Sequence, residues 1–413
     1  MPEEITVLGA GIVGISCALS LQRRGYAVRL IDRRGPGEET SSGNAGVLSY
    51  SNITPLASPL LLARMLPLML NRDADFLLHY AHLPALLPWL TRFLLRCRRA
   101  TYLADGQAMA ALTLPSIDLH RQWINQSGAQ KLLNQLGVLK LYRGQQSYSN
   151  DTLERELLEI CGVRFSLLER ADIRQIEPDL HDIFSHGVMI DDSISINHPQ
   201  KLCKAYADLF VSEGGEFYQA NVNDLSREGG GWKMTSDHGA LLAHKLVLCL
   251  GAWTPSLLTP LGYRNPLAIE RGYHSVFNPA EGKKLARPVF DVDGSYVIAP
   301  MQMGLRVTSG SNLTYRETAP TPRQIEQVIP RARQAFPLGE QLLERPWMGR
   351  RPSLPDTLPI IGPAPAHENL WLAFGHSHMG LTLGPISGEL IANHVAAGEQ
   401  PLDATPYLAQ RYL

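Results

Sequence analysis

The chain has 413 residues, and its 38 Lys and Arg residues against 39 Asp and Glu residues give a formal net charge of -1. This balance argues against a basic nucleic-acid-binding surface and against an acidic disordered tail. Hydrophobic residues make up 45% of the chain and charged residues 19%, which is typical of a globular protein. At roughly 150 residues per domain, the length predicts more than one domain.

The cysteine content predicts a reducing environment. The chain has five cysteines, an odd number, widely spaced and without a C-x-x-C pair. We therefore expect neither a disulfide framework nor a zinc site, and we predict no metal. The first residues are acidic and lack the pattern of a secretory signal, so a cytoplasmic location is expected.

Three apolar stretches approach the length of a membrane span. They cover residues 53–71, 246–263 and 369–388, and each contains proline or glycine residues. A spanning helix needs about 20 predominantly apolar residues without such interruptions. None of the three stretches meets this requirement.

The N-terminus carries a dinucleotide-binding motif. Residues 5–8 are an apolar run typical of a buried parallel strand, and Gly9-Ala10-Gly11-Ile12-Val13-Gly14 follows directly. Residues 15–21 have helical apolar spacing, and a second strand at 27–31 ends at Asp32. In this arrangement the first glycine permits the turn, the second admits a pyrophosphate and the third allows helix packing, while Asp32 can hold a ribose hydroxyl.

The segment after Asp32 favours an extended dinucleotide. Residues 39–46 are small, polar and glycine-bearing, and can lay backbone amides and hydroxyls along a second phosphate and the ring end of a cofactor. An NAD-binding unit more often returns directly to another strand and helix. On these residues alone the choice between NAD and FAD stays open.

The middle of the chain predicts a split nucleotide-binding domain. Residues 55–100 are rich in leucine and proline and end in an arginine cluster. Short helices packed on the cofactor domain, with a solvated basic face, are the favoured interpretation, and an interfacial membrane helix is the alternative. A helix at 199–211 and an apolar strand at 244–253 resume the nucleotide fold after this long insertion.

A second domain is predicted from alternating strands. Residues 267–277, 296–300 and 305–308 have strand character and are joined by glycine-rich turns, which indicates an antiparallel sheet. Arg271 and Arg306 lie in these strands; surface charges are the favoured interpretation, and ligand contacts are the alternative.

The C-terminal region combines several motifs. An arginine-bearing segment at 347–356 precedes a strand at 370–374, and two glycines at 375 and 380 lead to a helix predicted at 386–397. A helix start at this point can stabilise negative charge on a bound ring.

Together these motifs resemble those of the glycine oxidase and D-amino-acid dehydrogenase family of FAD-dependent oxidoreductases, over nearly the whole chain. The resemblance rests on G-x-G-x-x-G with Asp32, and on the motifs SSGNAG at 41–46, GAW at 251–253, RGY at 271–273, W-x-G-x-R-P-x-x-x-D from Trp347 and G-H-x-x-x-G at 375–380. Three parts of the sequence are most similar to the D-hydroxyproline dehydrogenase branch of this family: the motifs at 347–352 and 375–380, and the segment 55–100.

The resemblance implies a catalytic group and a set of cofactor contacts. Arg351 is expected to grip the substrate carboxylate, Tyr296 to hydrogen-bond the carboxylate or amine, and His378 to contact the substrate. Motifs and resemblance together predict these FAD contacts: Gly9, Gly11, Ile12, Val13, Gly14, Asp32, Arg33, Ser41, Ser42, Asn44, Ala45, Gly46, Val222, Gly251, Ala252, Trp253, Arg351, Gly375, His376, Gly380, Leu381 and Thr382. The FAD is expected to be non-covalent, because no cysteine lies at 347–356 and no histidine near 40–46.

The implied reaction is hydride transfer from the α-carbon of a D-amino acid or cyclic D-imino acid to the flavin, with cis-4-hydroxy-D-proline or D-proline favoured. The resemblance implies a quinone or the respiratory chain as electron acceptor. The alternative interpretation of segment 55–100, as an interfacial helix, would place it in peripheral contact with the inner face of the cytoplasmic membrane. The alternatives are an amine oxidase that uses dioxygen, and a flavin-bearing subunit of a hetero-oligomeric dehydrogenase. An NAD-dependent enzyme would have no use for the C-terminal glycine-histidine segment, and no nucleic-acid partner is expected.

The predicted fold is α/β: a Rossmann-like FAD-binding domain, split in sequence, plus an α+β substrate domain with a largely antiparallel sheet. The FAD-binding domain is assigned residues 1–54, 190–263 and 346–413. The substrate domain is assigned residues 55–189 and 264–345, with a helical insertion at 55–100.

Overall fold

The computed structural model describes residues 2–71, 76–264 and 266–412. Its helices are α1 (Ile12–Arg23), α2 (Pro59–Ala63), α3 (Met65–Met69), α4 (Leu83–Leu95), α5 (Arg99–Gln126), α6 (Gln145–Asn150), α7 (Thr152–Ile160), α8 (Arg170–Ile176), α9 (Pro199–Ser212), α10 (Thr254–Leu258), α11 (Arg323–Ala335) and α12 (Gly380–Val395).

The strands share no single layer and fall into separate sheets. They are β1 (Glu4–Leu8), β2 (Ala27–Asp32), β3 (Val47–Leu48), β4 (Phe76–Leu78), β5 (Leu133–Asn134), β6 (Val138–Tyr142), β7 (Ser166–Glu169), β8 (His186–Ile190), β9 (Ile194–Ile196), β10 (Glu216–Gln219), β11 (Val222–Glu228), β12 (Gly231–Ser236), β13 (Gly239–Ala243), β14 (Lys245–Leu248), β15 (Ala268–Pro279), β16 (Val289–Asp291), β17 (Tyr296–Met301), β18 (Gly304–Thr308), β19 (Ser311–Thr314), β20 (Leu338–Gln341), β21 (Trp347–Ser353), β22 (Ile360–Pro363) and β23 (Leu370–Phe374).

The first sheet has the strand order β10-β2-β1-β14-β23-β22 and is parallel except for β22. Its central strands are apolar because both faces are covered. Helices α1, α5, α9 and α12 share a core on one face, and the antiparallel β11-β12-β13 sheet covers the other. Strands from the beginning, the middle and the end of the chain meet here, so the predicted split domain is confirmed.

The second sheet, called the large sheet below, has the order β4-β19-β15-β18-β17-β16-β6-β8-β7, with β20 and β21 also paired to β15. Most neighbours are antiparallel, and β6–β16 and β4–β19 are parallel pairs. Helices α8 and α11 bury their apolar sides against one face of this sheet. The predicted α/β fold with a second, largely antiparallel sheet is thus confirmed.

Two predicted boundaries need correction. Strand β21 was assigned to the FAD-binding domain, but it pairs with β15 along residues 347–353 and belongs to the large sheet. Helix α5 was assigned to the substrate domain, but Met109, Leu112 and Ile117 share the core of α1 and α12. Local sequence patterns do not reveal either assignment, because both depend on contacts that are distant in sequence.

The insertion at 55–100 forms short helices, although residues 72–75 lie outside the described ranges. Leu86, Trp89 and Phe93 of α4 are buried in a cluster with residues of β15 and β19, and the Trp89 indole donates to the Ser353 carbonyl at 3.1 Å. The favoured prediction of short packed helices is right, but the helices pack on the large sheet and not on the parallel sheet of the cofactor domain. No helix in the described ranges is long and apolar enough to cross a membrane.

Candidate active site

A cavity of about 1270 Å³ is lined both by the dinucleotide motif and by residues of the large sheet. Its wall includes Gly9 and Asp32 of the dinucleotide motif and also Glu270 and Arg351 of the large sheet. The carboxyl ends of β1 and β2 therefore open into the same space as one face of β15 and β21.

The three motif glycines have different surroundings that match their predicted roles. Gly9 has φ = 109°, and a Cβ at this position would lie 2.5 Å from the Cys249 carbonyl oxygen. A Cβ at Gly14 would lie 1.7 Å from the Gly9 carbonyl oxygen, so α1 packs tightly on the turn. A Cβ at Gly11 would meet only Ser41 Oγ, at 3.5 Å. The open space at Gly11, at the N-terminus of α1, fits a pyrophosphate.

The Asp32 carboxylate is fixed at the end of β2. It accepts hydrogen bonds from the Ala10 amide at 2.6 Å and the Arg34 amide at 2.9 Å. Burial raises the pKa of Asp32, and the two amides oppose this rise. The carboxylate lines the cavity and presents an acceptor for a ribose hydroxyl.

Arg306 of β18 supports the polar loop at 40–46. It is 3% exposed, and its guanidinium donates to the carbonyls of Ser42, at 3.2 Å, and Asn44. Burial lowers the pKa of Arg306 to about 10. The prediction of a surface charge at this position is therefore wrong.

Arg271 is also buried, contrary to the prediction. Its guanidinium donates to backbone carbonyls, including Tyr315 at 2.8 Å and Ala319 at 3.0 Å. Arg271 lies on the α11 face of β15, and it closes the 315–319 loop rather than contacting a ligand.

Helix α12 starts at Gly380, six residues before the predicted start at 386, so the prediction is corrected there. The His120 ring contacts the Leu381 carbonyl at 2.8 Å, and Ser116 Oγ donates to the Thr382 carbonyl at 2.6 Å. These contacts fix the first turn, while Gly380 and Leu381 line the cavity. The positive end of the helix dipole is thus held against the cavity.

Most predicted FAD contacts line the cavity. These are Gly9, Gly11, Ile12, Val13, Asp32, Arg33, Ser41, Asn44, Ala45, Val222, Gly251, Ala252, Trp253, Arg351, His376, Gly380 and Leu381. The remaining ones lie behind the cavity wall: Gly14, Ser42, Gly46, Gly375 and Thr382. At Gly46, for instance, a Cβ would lie 2.0 Å from the Ile196 carbonyl oxygen, so this glycine serves close backbone packing.

Arg351 and Glu270 form the charged centre of the large-sheet side. They are directly opposite each other on β21 and β15, and Arg351 Nη1 donates to Glu270 Oε1 at 2.8 Å. The guanidinium lies over Gly272, where a Cβ would be 2.2 Å from Nη2. Among the described residues, Nη2 and Nε of Arg351 have no protein acceptor. A carboxylate can therefore bind to these donors in the cavity.

Sequence reasoning missed Glu270 and the two serines that hold it. Ser353 Oγ donates to Glu270 Oε2 at 2.8 Å, and Ser311 Oγ donates to Oε1. The Arg351 guanidinium holds the pKa of Glu270 below its usual value, against the effect of burial. The available signal was an acidic residue inside an otherwise buried strand, directly before the Arg271-Gly272-Tyr273 motif.

The two other predicted catalytic side chains are placed differently. His378 is exposed to the cavity near this pair, and its enclosure there lowers the pKa of the imidazole. The Tyr296 hydroxyl donates to the Arg331 carbonyl at 3.3 Å, on the α11 side of the sheet. Tyr296 nevertheless lines the same cavity as Arg351, and its predicted contact with the substrate carboxylate or amine stays a prediction. In the described ranges, no group of His, Cys, Asp and Glu is arranged to hold a metal ion.

Comparison with known proteins defines the class of this site. The family described as FAD dependent oxidoreductase (DAO) matches residues 4–394. A D-amino acid dehydrogenase of Vibrio cholerae is 31% identical, with 97% of this chain and 96% of the relative covered. A D-amino-acid oxidase of Bradyrhizobium diazoefficiens is 29% identical, with both chains covered completely.

Solved structures match the fold as a whole. Glycine oxidase from Geobacillus kaustophilus has a TM-score of 0.76 at 20% identity, with 100% of both chains covered. L-proline dehydrogenase from P. horikoshii has a TM-score of 0.74 at 18% identity, with 100% of this chain and 98% of that chain covered.

The chain belongs to the DAO family of FAD-dependent oxidoreductases. It is an enzyme of the amino-acid oxidase and dehydrogenase type, and its cofactor is FAD. An NAD-dependent dehydrogenase is thereby excluded.

Proposed function

We propose that this enzyme oxidises a D-amino acid or a cyclic D-imino acid, with cis-4-hydroxy-D-proline or D-proline as the favoured substrate. The observation that carries this proposal is Arg351, whose free donors face the cavity that also contains the dinucleotide motif. The relatives named D-amino acid dehydrogenase and D-amino-acid oxidase support the D-amino acid class. The cyclic substrate rests on the resemblance of residues 347–352 and 375–380 to the hydroxyproline branch.

The chain has residues suited to hold FAD without a covalent bond. Gly11 leaves room for the pyrophosphate, Asp32 presents a ribose acceptor and the first turn of α12 provides amides for the ring. FAD, when bound, supplies the acceptor for the hydride that leaves the substrate α-carbon.

The protein's own contribution to the reaction is positioning. The planar guanidinium of Arg351 can hold a carboxylate through two parallel hydrogen bonds, which fixes the direction of the α-carbon–hydrogen bond. His378, exposed to the same cavity, borders the bound substrate. Tyr296 lines the same cavity, but its hydroxyl donates to the Arg331 carbonyl, so a contact with the substrate requires the hydroxyl to exchange this partner.

The proposed electron acceptor is a membrane quinone rather than dioxygen. The insertion at 55–100 exposes Leu66, Met69, Leu87 and Leu95 beside the cavity wall, and the exposed Arg92 lies on the same helix as Leu87 and Leu95. Apolar side chains flanked by arginines suit the surface of an anionic bilayer. A lipid-soluble acceptor could reach the cavity from that side.

The direct test is anaerobic mixing of the purified enzyme with cis-4-hydroxy-D-proline. We expect rapid loss of the absorption of the oxidised flavin, and a slower loss with other D-amino acids. Bleaching with D-alanine but not with cyclic D-imino acids would keep the D-amino acid class and contradict the cyclic substrate. No bleaching with any D-amino acid would contradict the proposed function.

Arg351→Lys is the matched variant for this test. A lysine keeps the positive charge but cannot hold a carboxylate with a planar fork. We expect kcat/KM for the substrate to fall about a hundredfold, with FAD retained. An unchanged kcat/KM would show that the substrate carboxylate binds elsewhere.

A further inference from the structure

Glu270 is a buried carboxylate that is hydrogen-bonded to Arg351 of the candidate active site. It is 3% exposed and lies in β15, directly across from Arg351 of β21. Three hydrogen bonds hold the carboxylate in one orientation, since it accepts from Arg351 Nη1, Ser311 Oγ and Ser353 Oγ. A single buried carboxylate is costly unless it is paired, and this one is paired.

The pair changes the electrostatics of the Arg351 site. An isolated guanidinium in an enclosed cavity would attract any carboxylate. Glu270 accepts from Nη1, so its negative charge offsets the positive charge of the Arg351 guanidinium. A ligand carboxylate bound to Nη2 and Nε of the same guanidinium is therefore also repelled by the Glu270 carboxylate. A ligand with only a carboxylate therefore binds at a disadvantage. A ligand with a nitrogen-bound proton next to its carboxylate offsets that disadvantage.

We propose that Glu270 is a specificity-determining residue, which makes the Arg351 site select acids that carry an amine next to the carboxylate and reject acids that lack one. The inference rests on the proposed function, because it assumes that the Arg351 carboxylate site receives amino or imino acids. Glu270 lines the cavity but is only 3% exposed and is hydrogen-bonded to Arg351, so we treat it as a positioning residue that acts through Arg351.

The test compares two probes that differ at one atom. D-Proline carries the amine, and tetrahydrofuran-2-carboxylate has the same ring and carboxylate with oxygen in place of nitrogen. Binding of the oxygen compound is measured from its effect on the flavin absorption of the holoenzyme, and the dissociation constant of D-proline from rapid anaerobic reduction. In wild-type enzyme the oxygen compound should bind at least about tenfold more weakly than D-proline.

Glu270→Gln removes the charge and keeps the shape. We expect the variant to bind tetrahydrofuran-2-carboxylate about tenfold more tightly than wild type, while D-proline binds no more tightly. Ser353→Ala is the control, since it removes one hydrogen bond to Glu270 and leaves the charge. It should not improve binding of the oxygen compound.

Several outcomes would overturn the inference. Equal weakening of both probes in Glu270→Gln would indicate a structural role, and an equal gain in Ser353→Ala would indicate that geometry, not charge, sets the preference. Equal affinity of wild-type enzyme for both probes would contradict the inference even if the variant does not fold. Failure of D-proline to reduce the flavin, with the oxygen compound still gaining affinity in Glu270→Gln, would instead contradict the proposed substrate and uphold the role of Glu270.

Discussion

Two histidines of one motif have separate tasks. His378 is exposed to the cavity, whereas His376 points into the protein and its Nε2 lies 2.9 Å from Ser387 Oγ. Because Ser387 Oγ donates to the Leu383 carbonyl at 2.8 Å, the His376 ring donates to Ser387 Oγ through Nε2. The His376 side chain thus fixes the turn before α12, while the His378 imidazole is exposed to the cavity.

The burial of His376 has a consequence for stability at acidic pH. Burial lowers the pKa of His376 to about 3, compared with 6.5 for a free imidazole. Below pH 6.5 the unfolded chain takes up a proton that the folded protein does not, so folding loses stability as the pH falls. From pH 6.5 to pH 5 this loss is about 2 kcal/mol for one such histidine.

His376→Gln should therefore reduce the pH dependence. The amide can still donate to Ser387, but it cannot be protonated in the unfolded chain. The decrease in the free energy of unfolding between pH 7 and pH 5 should be smaller by about 2 kcal/mol, as measured by urea unfolding. The exposed His244 gives the control His244→Gln, which should behave like wild type. An unchanged pH dependence in His376→Gln would contradict this assignment.

The sequence predicted residues that line the cavity better than buried polar ones. Gly11, Asp32 and Arg351 line the cavity, and each was singled out because it belongs to a short motif with a fixed chemical task. Arg271 and Arg306 were expected on the surface, yet both are buried and bind backbone carbonyls. Their partners are loop carbonyls at distant positions, and a sequence carries no local signal for them.

At the level of elements, the turn from β1 to α1 combines two uses of glycine. Gly14 has no room for a side chain, since α1 packs on the turn at that point. Gly11 has room, but the space belongs to the cavity. One motif therefore contains a glycine whose space is taken up by packing and a glycine whose space we assign to the cofactor.

Alanine substitutions should separate these two requirements. Gly11→Ala should fold with a melting temperature close to that of the wild-type apoprotein, but its affinity for FAD should fall at least about tenfold, because the methyl group enters the pyrophosphate space. Gly14→Ala should lower the yield and melting temperature of the apoprotein itself. The measurements are FAD titration by fluorescence quenching and thermal unfolding without added FAD. Full FAD affinity in Gly11→Ala would contradict the assigned pyrophosphate position.

The start of α12 shows why periodicity alone fails at some elements. Gly384, Pro385 and Gly388 interrupt the usual helical pattern, so the helix was predicted to begin too late. The glycines instead allow close approach to α1: a Cβ at Gly388 would lie 2.4 Å from the Ser16 carbonyl oxygen. Strands such as β1 and β23 were predicted well because burial on both faces leaves an uninterrupted apolar run.

For the whole molecule, the insertion at 55–100 connects the cavity with an exposed apolar surface. Leu66 of α3 is 70% exposed and Leu87 of α4 is 60% exposed. Leu87 and Leu90 of α4 and Leu61 of α2 line the cavity. Exposed leucines clustered on one side of a protein mark an interaction surface. The sequence left open whether this segment meets water or lipid.

A vesicle experiment distinguishes the two environments. The wild-type holoenzyme should sediment with vesicles of anionic phospholipid at low salt, less with neutral vesicles, and less at high salt because the arginines are screened. The double substitution Leu66→Asn and Leu87→Asn should weaken binding at least about tenfold, since two apolar side chains no longer enter the bilayer surface.

Leu242 provides the matched control for this experiment. It is 62% exposed on β13, in the three-stranded sheet that covers the other side of the parallel sheet. Leu242→Asn should bind vesicles as wild type does. Sedimentation that is absent in wild type, or equally weakened by Leu242→Asn, would contradict a membrane role for the insertion, and the acceptor would then have to reach the cavity from water.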